Sequence, residues 1–402
     1  MGTDTNDSQP LADVTVLELG NIVAGPFASV MLADLGAEVV KVERPGSGDV
    51  LRSAGEAGPP MFDALNRNKR SIELDLKSDA GREAFLDLAD RADVVVENLG
   101  PGVADRLGIG YDELSERNSE LVYLSIKGFL DGPYGDRAGM DVVAEAMSGL
   151  MSMTGEPGRK PVRVGTSIAD MGAAMYGVMG VLVALRERER TGEGRRVDGP
   201  LFEAVASWMG YWITYADRYG RDHPSLGASH PTWALYDVFR VGDQDDWLFL
   251  GVTTERHWPA LCRAIDREDL LADERFDTSQ SRLDHKAELT ETVAEELRDR
   301  DRESVLAALL AEDVPAAPVN DPSDLVDDDH LDAVDLLAEF DSAEDGQSLQ
   351  TVMTPVHGDG IAPAQRLDPP ELGEHTEEIL RTAGLDDDAI AALRNRGAFG
   401  SE

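Results

Sequence analysis

The chain has 402 residues, 42% of them hydrophobic, and 37 basic against 78 acidic residues give it a net charge of −41. That length holds two domains with a sizeable core, while the charge excludes the basic patch that nucleic-acid binding needs. The single cysteine, Cys262, excludes an internal disulfide and a thiolate metal cluster.

The first ten residues, MGTDTNDSQP, are polar and acidic. They show no secretory leader, and Asn6 stands where an acylation motif needs Ser or Thr, so the expected compartment is the cytoplasm. No apolar run reads as long enough to span a bilayer. Residues 14–19 (VTVLEL) predict a strand, and Gly25 and Pro26 lead into a helix over 27–35 that Gly36 ends. Strands follow at 39–43, 71–74, 93–98 and 121–126, with a helix at 81–91. Strand and crossover helix repeated in this way predict an α/β fold with a parallel sheet. From 138 to 190 the pattern is helical, and 202–219 continues it with an aromatic-rich stretch. Two strands flank a turn at Gly242 and Asp243, helices run from 257 to about 312, and the proline-bearing 314–319 suits an interdomain crossing. One more strand lies near 351–356, and helices at 376–382 and 387–394 close the chain. The expected domains are 1–220, a smaller one at 221–330, and 331–402 returning to the first.

Acidic residues recur along the whole length, as at 327–329 and 386–388, rather than in one tail. Dispersed charge of this size reads as adaptation to a very salty cytoplasm, where a Debye length of about 3 Å at molar salt screens self-repulsion. It says nothing about a reaction.

The motifs first exclude. After the first strand the chain reads GNIVAGP, which lacks the Gly-x-Gly-x-x-Gly spacing of a nicotinamide site. There is no phosphate-loop motif and no nucleophile elbow, and the histidines are scattered without metal-ligand spacing. Two features remain. Asp170 stands among small and apolar residues where a long helical pattern begins, in VGTSIADMGAAMYG. It reads either as a helix cap or as a nucleophilic carboxylate, and the same helix start is expected to hold it ionised. The second feature is basic: Arg44, Lys69, Arg70, Lys77 and Arg106 lie near strand ends, and three of only six lysines (Lys41, Lys69, Lys77) fall within 37 residues. They read either as ion pairs with the abundant acids or as a phosphate-binding cluster at the carboxyl ends of parallel strands.

Further residues carry a resemblance: VERPGSGD at 42–49, NKRSIEL at 68–74, VVEN at 95–98 with Pro101 and Gly102, DRLG at 105–108, SIKG at 125–128, TGEG at 191–194 and LGEHT at 372–376. With Asp170 they make the chain similar, end to end, to the family III CoA-transferases, a group that includes formyl-CoA and carnitine-type transferases and α-methylacyl-CoA racemases. The resemblance implies a large Rossmann-like domain built from N- and C-terminal parts, a smaller α+β domain, and an interlocked homodimer. It makes Asp170 the catalytic residue and assigns CoA contacts to Val23, Ala24, Arg44, Leu74, Lys77, Asn98, Leu99 and Arg106. CoA then serves as co-substrate, with no permanently bound cofactor and no metal, and the partners are acyl-CoA and a carboxylic acid. The racemase branch needs a histidine before an aspartate where this chain has Met140 and Asp141, and Met140 cannot shuttle a proton. CoA exchange between an acyl-CoA and a free acid is therefore expected, and the resemblance, taken with the salt-adapted charge, implies a donor such as succinyl-CoA and a dicarboxylate acceptor of mesaconate, citramalate or malate type. A racemase and a non-catalytic acyl-CoA-binding protein are the alternatives.

Overall fold

The computed structural model describes residues 9–242 and 246–400, so the polar N-terminus and Asp243 of the expected turn lie outside the described residues. The chain divides into two compact units. The first comprises residues up to Leu150, Arg163–Thr214 and Val326 onward; the second comprises Met151–Val162 and Tyr215–Leu325. The smaller unit thus takes in Met151–Val162, which the sequence reading kept in the large domain.

The first unit is built on β1 (Thr15–Leu19), α1 (Ala24–Asp34), β2 (Glu38–Glu43), α2 (Gly58–Asn66), β3 (Lys69–Glu73), α3 (Asp79–Ala89), β4 (Val94–Glu97), α4 (Val103–Leu107), α5 (Tyr111–Arg117) and β5 (Val122–Lys127). In chain order there follow α6 (Asp141–Ser148), α7 (Leu150–Met153), α8 (Ile168–Thr191), β6 (Arg196–Pro200), α9 (Leu201–Trp208) and α10 (Gly210–Tyr219), of which α7 from Met151 and α10 from Tyr215 belong to the second unit. The strands form one parallel sheet in the order β3-β2-β1-β4-β5-β6. β1, β4 and β5 are largely apolar because both faces are covered, whereas the edge strands β3 and β6 are mostly polar. Val16, Val94 and Val96 enter one core with α1 and α8, while Leu17, Leu19 and Val95 enter the other with α3. The helical run expected over 138–190 is broken between α7 and α8, where Gly155, Pro157, Gly158 and Pro161 interrupt it.

At Gly177 an added Cβ would stand 2.8 Å from the Leu124 side chain, so only glycine lets α8 sit this close to β5. By length and composition alone α8 could cross a membrane, which corrects the expectation that no such run exists. Its buried face lies on the sheet, while Met175, Met179 and Val183 are exposed.

The second unit holds the antiparallel sheet of β7 (Tyr236–Val241), β8 (Asp246–Gly251) and β9 (Ala316–Pro318). Around it lie α11 (His257–Ala264), α12 (Ser279–Asp284), α13 (Lys286–Leu297) and α14 (Arg302–Ala311). Leu248, Leu261, Val293 and Leu309 are among the residues of its core, which also buries Cys262.

The C-terminal part returns to the first unit as α15 (Asp329–Ala333), the hairpin of β10 (Leu337–Asp341) and β11 (Ser348–Val352), α16 (Thr376–Thr382) and α17 (Asp387–Asn395). It adds helices and this separate hairpin, and among the described residues no strand to the parallel sheet. The return is sewn down by main-chain bonds, Asp75 N to Ala398 O at 2.7 Å and His375 N to Ser71 O at 2.9 Å. Buried Asp34 binds Arg67, Asn68 and Thr354 together.

Candidate active site

Doubly wound sheets of this order take ligands outside the carboxyl ends of the strands. Ala173 lies against Gly199 at the end of β6, and Gly180 lies against Val197, nearer its start. Hence α8 descends antiparallel to the strand, and its first turn, with Asp170, stands at the carboxyl edge.

The Asp170 carboxylate is half-buried and accepts no hydrogen bond among the described residues. Nor does it cap its own helix. The N-cap residue, Ser167, makes no side-chain cap bond. Instead Asp141, at the start of α6, accepts from Ala169 N at 2.8 Å and from Asp170 N at 3.4 Å through Oδ1. Of the two sequence readings, the capping role belongs to Asp141. Burial pushes the Asp170 carboxyl up to about 7, and the Asp141 charge adds to the effect. The expectation that the helix start holds Asp170 ionised is corrected: the acid next to it already occupies those amides. Met140 occupies the N-cap position of α6 in an extended conformation, makes no side-chain cap bond and is exposed.

At the same edge, a cavity of about 680 Å³ opens at the ends of β1, β2 and β3 and of β4. Its wall brings together Arg44, Leu74, Lys77 and Leu99, four of the residues expected from sequence, with Asn21 and Arg394. Arg44 and Lys77 are exposed and have no acidic partner among the described residues. Val23 and Ala24 are buried at the start of α1, off this wall. Asn98 stands behind it and braces the β1–α1 loop, accepting from Asn21 N at 2.8 Å and donating to Asn21 O at 2.9 Å. That loop is strained, because β-branched Ile22 holds a φ of 66°. Arg106 is exposed beside the cavity's far turn, donates to Pro101 O at 3.3 Å, and does not line the wall. Asn21 and Arg394 escaped the sequence reading. Arg394 belongs to α17, more than 300 residues beyond Arg44, and no local signal marks it.

The remaining basic residues are not there. Lys41 and Lys69 are wholly buried on β2 and β3 and both bind Glu18 of β1, at 2.8 and 2.6 Å. Arg70 pairs with Glu38 and Glu378. For these three the ion-pair reading holds and the phosphate reading fails. The buried pairs serve the loop above them: Lys41 Nζ donates to Gly20 O and Lys69 Nζ to Pro26 O.

Sheet order, edge cavity and edge carboxylate define a doubly wound α/β protein with a cavity and a half-buried acid at the carboxyl edge of its sheet. The profile of CoA-transferase family III matches residues 11–376. The succinyl-CoA:mesaconate CoA-transferase of Haloarcula marismortui is 37% identical over 389 residues, covering 94% of this chain and 97% of its own. The succinyl-CoA–D-citramalate CoA-transferase of Chloroflexus aurantiacus is 34% identical, covering 96% of this chain and 97% of its own. Among solved structures, a CAIB/BAIF family protein from Brucella suis superposes with a TM-score of 0.86 at 32% identity, over 93% of this chain and 99% of that one. The chain belongs to CoA-transferase family III, and it is an enzyme of the CoA-transferase class.

Proposed function

We propose that the protein moves CoA from an acyl-CoA, succinyl-CoA first among them, to a free dicarboxylate of mesaconate, citramalate or malate type, with Asp170 as nucleophile. The observation that carries this reading is a half-buried carboxylate at the sheet edge that no cation or hydrogen-bond donor among the described residues neutralises, beside a second acid. The names of the relatives support the donor and the acceptor class.

The ionised Asp170 attacks the thioester carbonyl; a carbon–oxygen bond forms, the carbon–sulfur bond breaks, and CoA thiolate leaves a mixed anhydride. The thiolate then attacks the Asp170 carbonyl, releasing the donor as its carboxylate and leaving an aspartyl-CoA thioester. The acceptor carboxylate attacks that thioester to form a second anhydride and expel the thiolate. Attack of the thiolate on the acceptor's carbonyl yields its CoA ester and restores Asp170. No proton is gained or lost overall. Forming the neutral anhydride relieves the repulsion that Asp141 exerts on ionised Asp170, so the strained ground state favours acylation.

Arg44 and Lys77 hold phosphates of CoA, with Leu74 and Leu99 as the apolar wall. Val23, Ala24 and Asn98 shape the loop along which the ligand runs toward Asp170, and Arg106 adds a further cation. The active form is an interlocked homodimer, and the exposed apolar residues Met175, Met179 and Val183 of α8, with Tyr211 and Ile213 of α10, suit burial against a second copy. Charge −41 suits a salt-rich cytoplasm.

Asp170→Ala is expected to lower CoA exchange by roughly 10³-fold or more. Hydroxylamine added with succinyl-CoA is expected to trap a hydroxamate on Asp170. Turnover by Asp170→Ala, or α-proton exchange with solvent in place of transfer, would defeat the proposal.

A further inference from the structure

The two acids of α6 leave an unexplained pair of atoms. Asp141 and Glu145 are one turn apart on the same helix face. One oxygen of each is spoken for: Asp141 Oδ1 by the amides of Ala169 and Asp170, and Glu145 Oε2 by Val164 N at 2.9 Å. The other two, Asp141 Oδ2 and Glu145 Oε1, are fully buried, and no donor among the described residues reaches them. Both orphaned oxygens belong to neighbouring carboxyl groups on one face of α6. Bare carboxylate oxygens so placed repel, whereas one proton between them makes an O–H···O bond and satisfies both.

We infer that Asp141 and Glu145 share one proton and act as a single positioning unit, which holds the strap from Val164 to Asp170 and sets the ionisation of the nucleophile. The inference rests on Asp170 being that nucleophile. Burial, and then the neighbouring Asp141, push the Glu145 carboxyl up, as a shared proton requires. The charged groups around the pair agree with one net negative charge. Arg163, on the strap, is the cation whose field reaches Glu145. Asp170 faces the pair from α8, and Glu203 of α9 turns one oxygen to Leu130 N instead. The pair's remaining negative charge lies beside Asp170 and makes the nucleophile more basic.

The test is the pH profile of kcat/KM in two amide variants. Asp141→Asn still accepts from Ala169 N and donates to Glu145, so the charge moves one turn away from Asp170. The acid limb is expected to fall by about one pH unit. Glu145→Gln donates permanently to Asp141, so the alkaline limb that reports loss of the shared proton is expected to disappear. Either variant decides the matter alone. An acid limb unmoved in an active Asp141→Asn, or an alkaline limb kept in Glu145→Gln, overturns the inference. So does unfolding of both variants, because each amide replaces what the proton supplies. If instead Asp170→Ala retains turnover, the nucleophile assignment has failed rather than the pair.

Discussion

Glu18 and Asp170 are carboxylates of one unit with opposite fates. Burial raises the proton affinity of both. At Glu18 that push is overcome by Lys41 and Lys69, which hold the group down to about 2. At Asp170 no cation answers it, Asp141 reinforces it, and the group is pushed up to about 7. The first arrangement pairs the carboxylate with two cations and fixes the loop between β1 and α1. The second leaves a charge unsatisfied and available. The same side-chain chemistry is structural where the fold supplies counter-charge and chemical where it withholds it.

The contrast is broken hardest at Glu18. Glu18→Gln leaves two buried ammonium groups short of an anion, and the unfolding free energy measured by urea titration is expected to fall by about 3–5 kcal/mol. A loss under about 1 kcal/mol would mean that Asp49, 3.0 Å from Lys41 Nζ, suffices for both lysines. Asp170→Asn is expected to act the other way. Asp170 binds its proton more tightly folded than unfolded, so its contribution to stability is full below the unfolded value of 3.8 and is lost as pH rises to about 7. The asparagine variant should therefore be more stable than the parent at pH 8, by about 1–2 kcal/mol once solvent screening is allowed for, with the gain gone near pH 4. Equal melting curves at both pH values would show Asp170 to be as well accommodated as a surface acid. For Glu18 the dependence reverses: its stabilisation is present above 4.5 and is lost as pH falls toward 2.

Much of this frame was legible in the sequence. The strands β1, β2, β4 and β5 announce themselves because burial on both faces demands runs rich in apolar residues, interrupted in β1 and β2 only by Glu18 and Lys41 within the strand. β6 did not, since Arg196–Pro200 is an edge strand with a glycine, a proline and only Gly199 buried. Asp170 stood out by its small neighbours, but the partner that caps its helix lies 29 residues earlier on another helix, which no local pattern reveals. Lysine spacing was a misleading sign for the same reason. Lys41 and Lys69 meet Glu18 only because three adjacent parallel strands bring their positions together. Nothing in the local sequence tells a buried ion pair from a phosphate contact.

Lys77 gives the smallest effect and the finest discrimination. It and Arg44 are the mirror image of Asp170, cations left without an acid among the described residues of a chain with 78 acidic residues. A surface ammonium that waits for a phosphate contributes modestly, because water and salt screen it. Lys77→Ala is expected to raise KM for the CoA ester about fivefold, or about 1 kcal/mol, with kcat unchanged. The difference should shrink as salt is raised, since only a screened Coulomb contact is lost. A fall in kcat at constant KM would place Lys77 in the chemistry at Asp170 and erase the division between charges that bind and charges that react. A KM effect indifferent to salt would instead mean that the side chain acts by packing on the cavity wall.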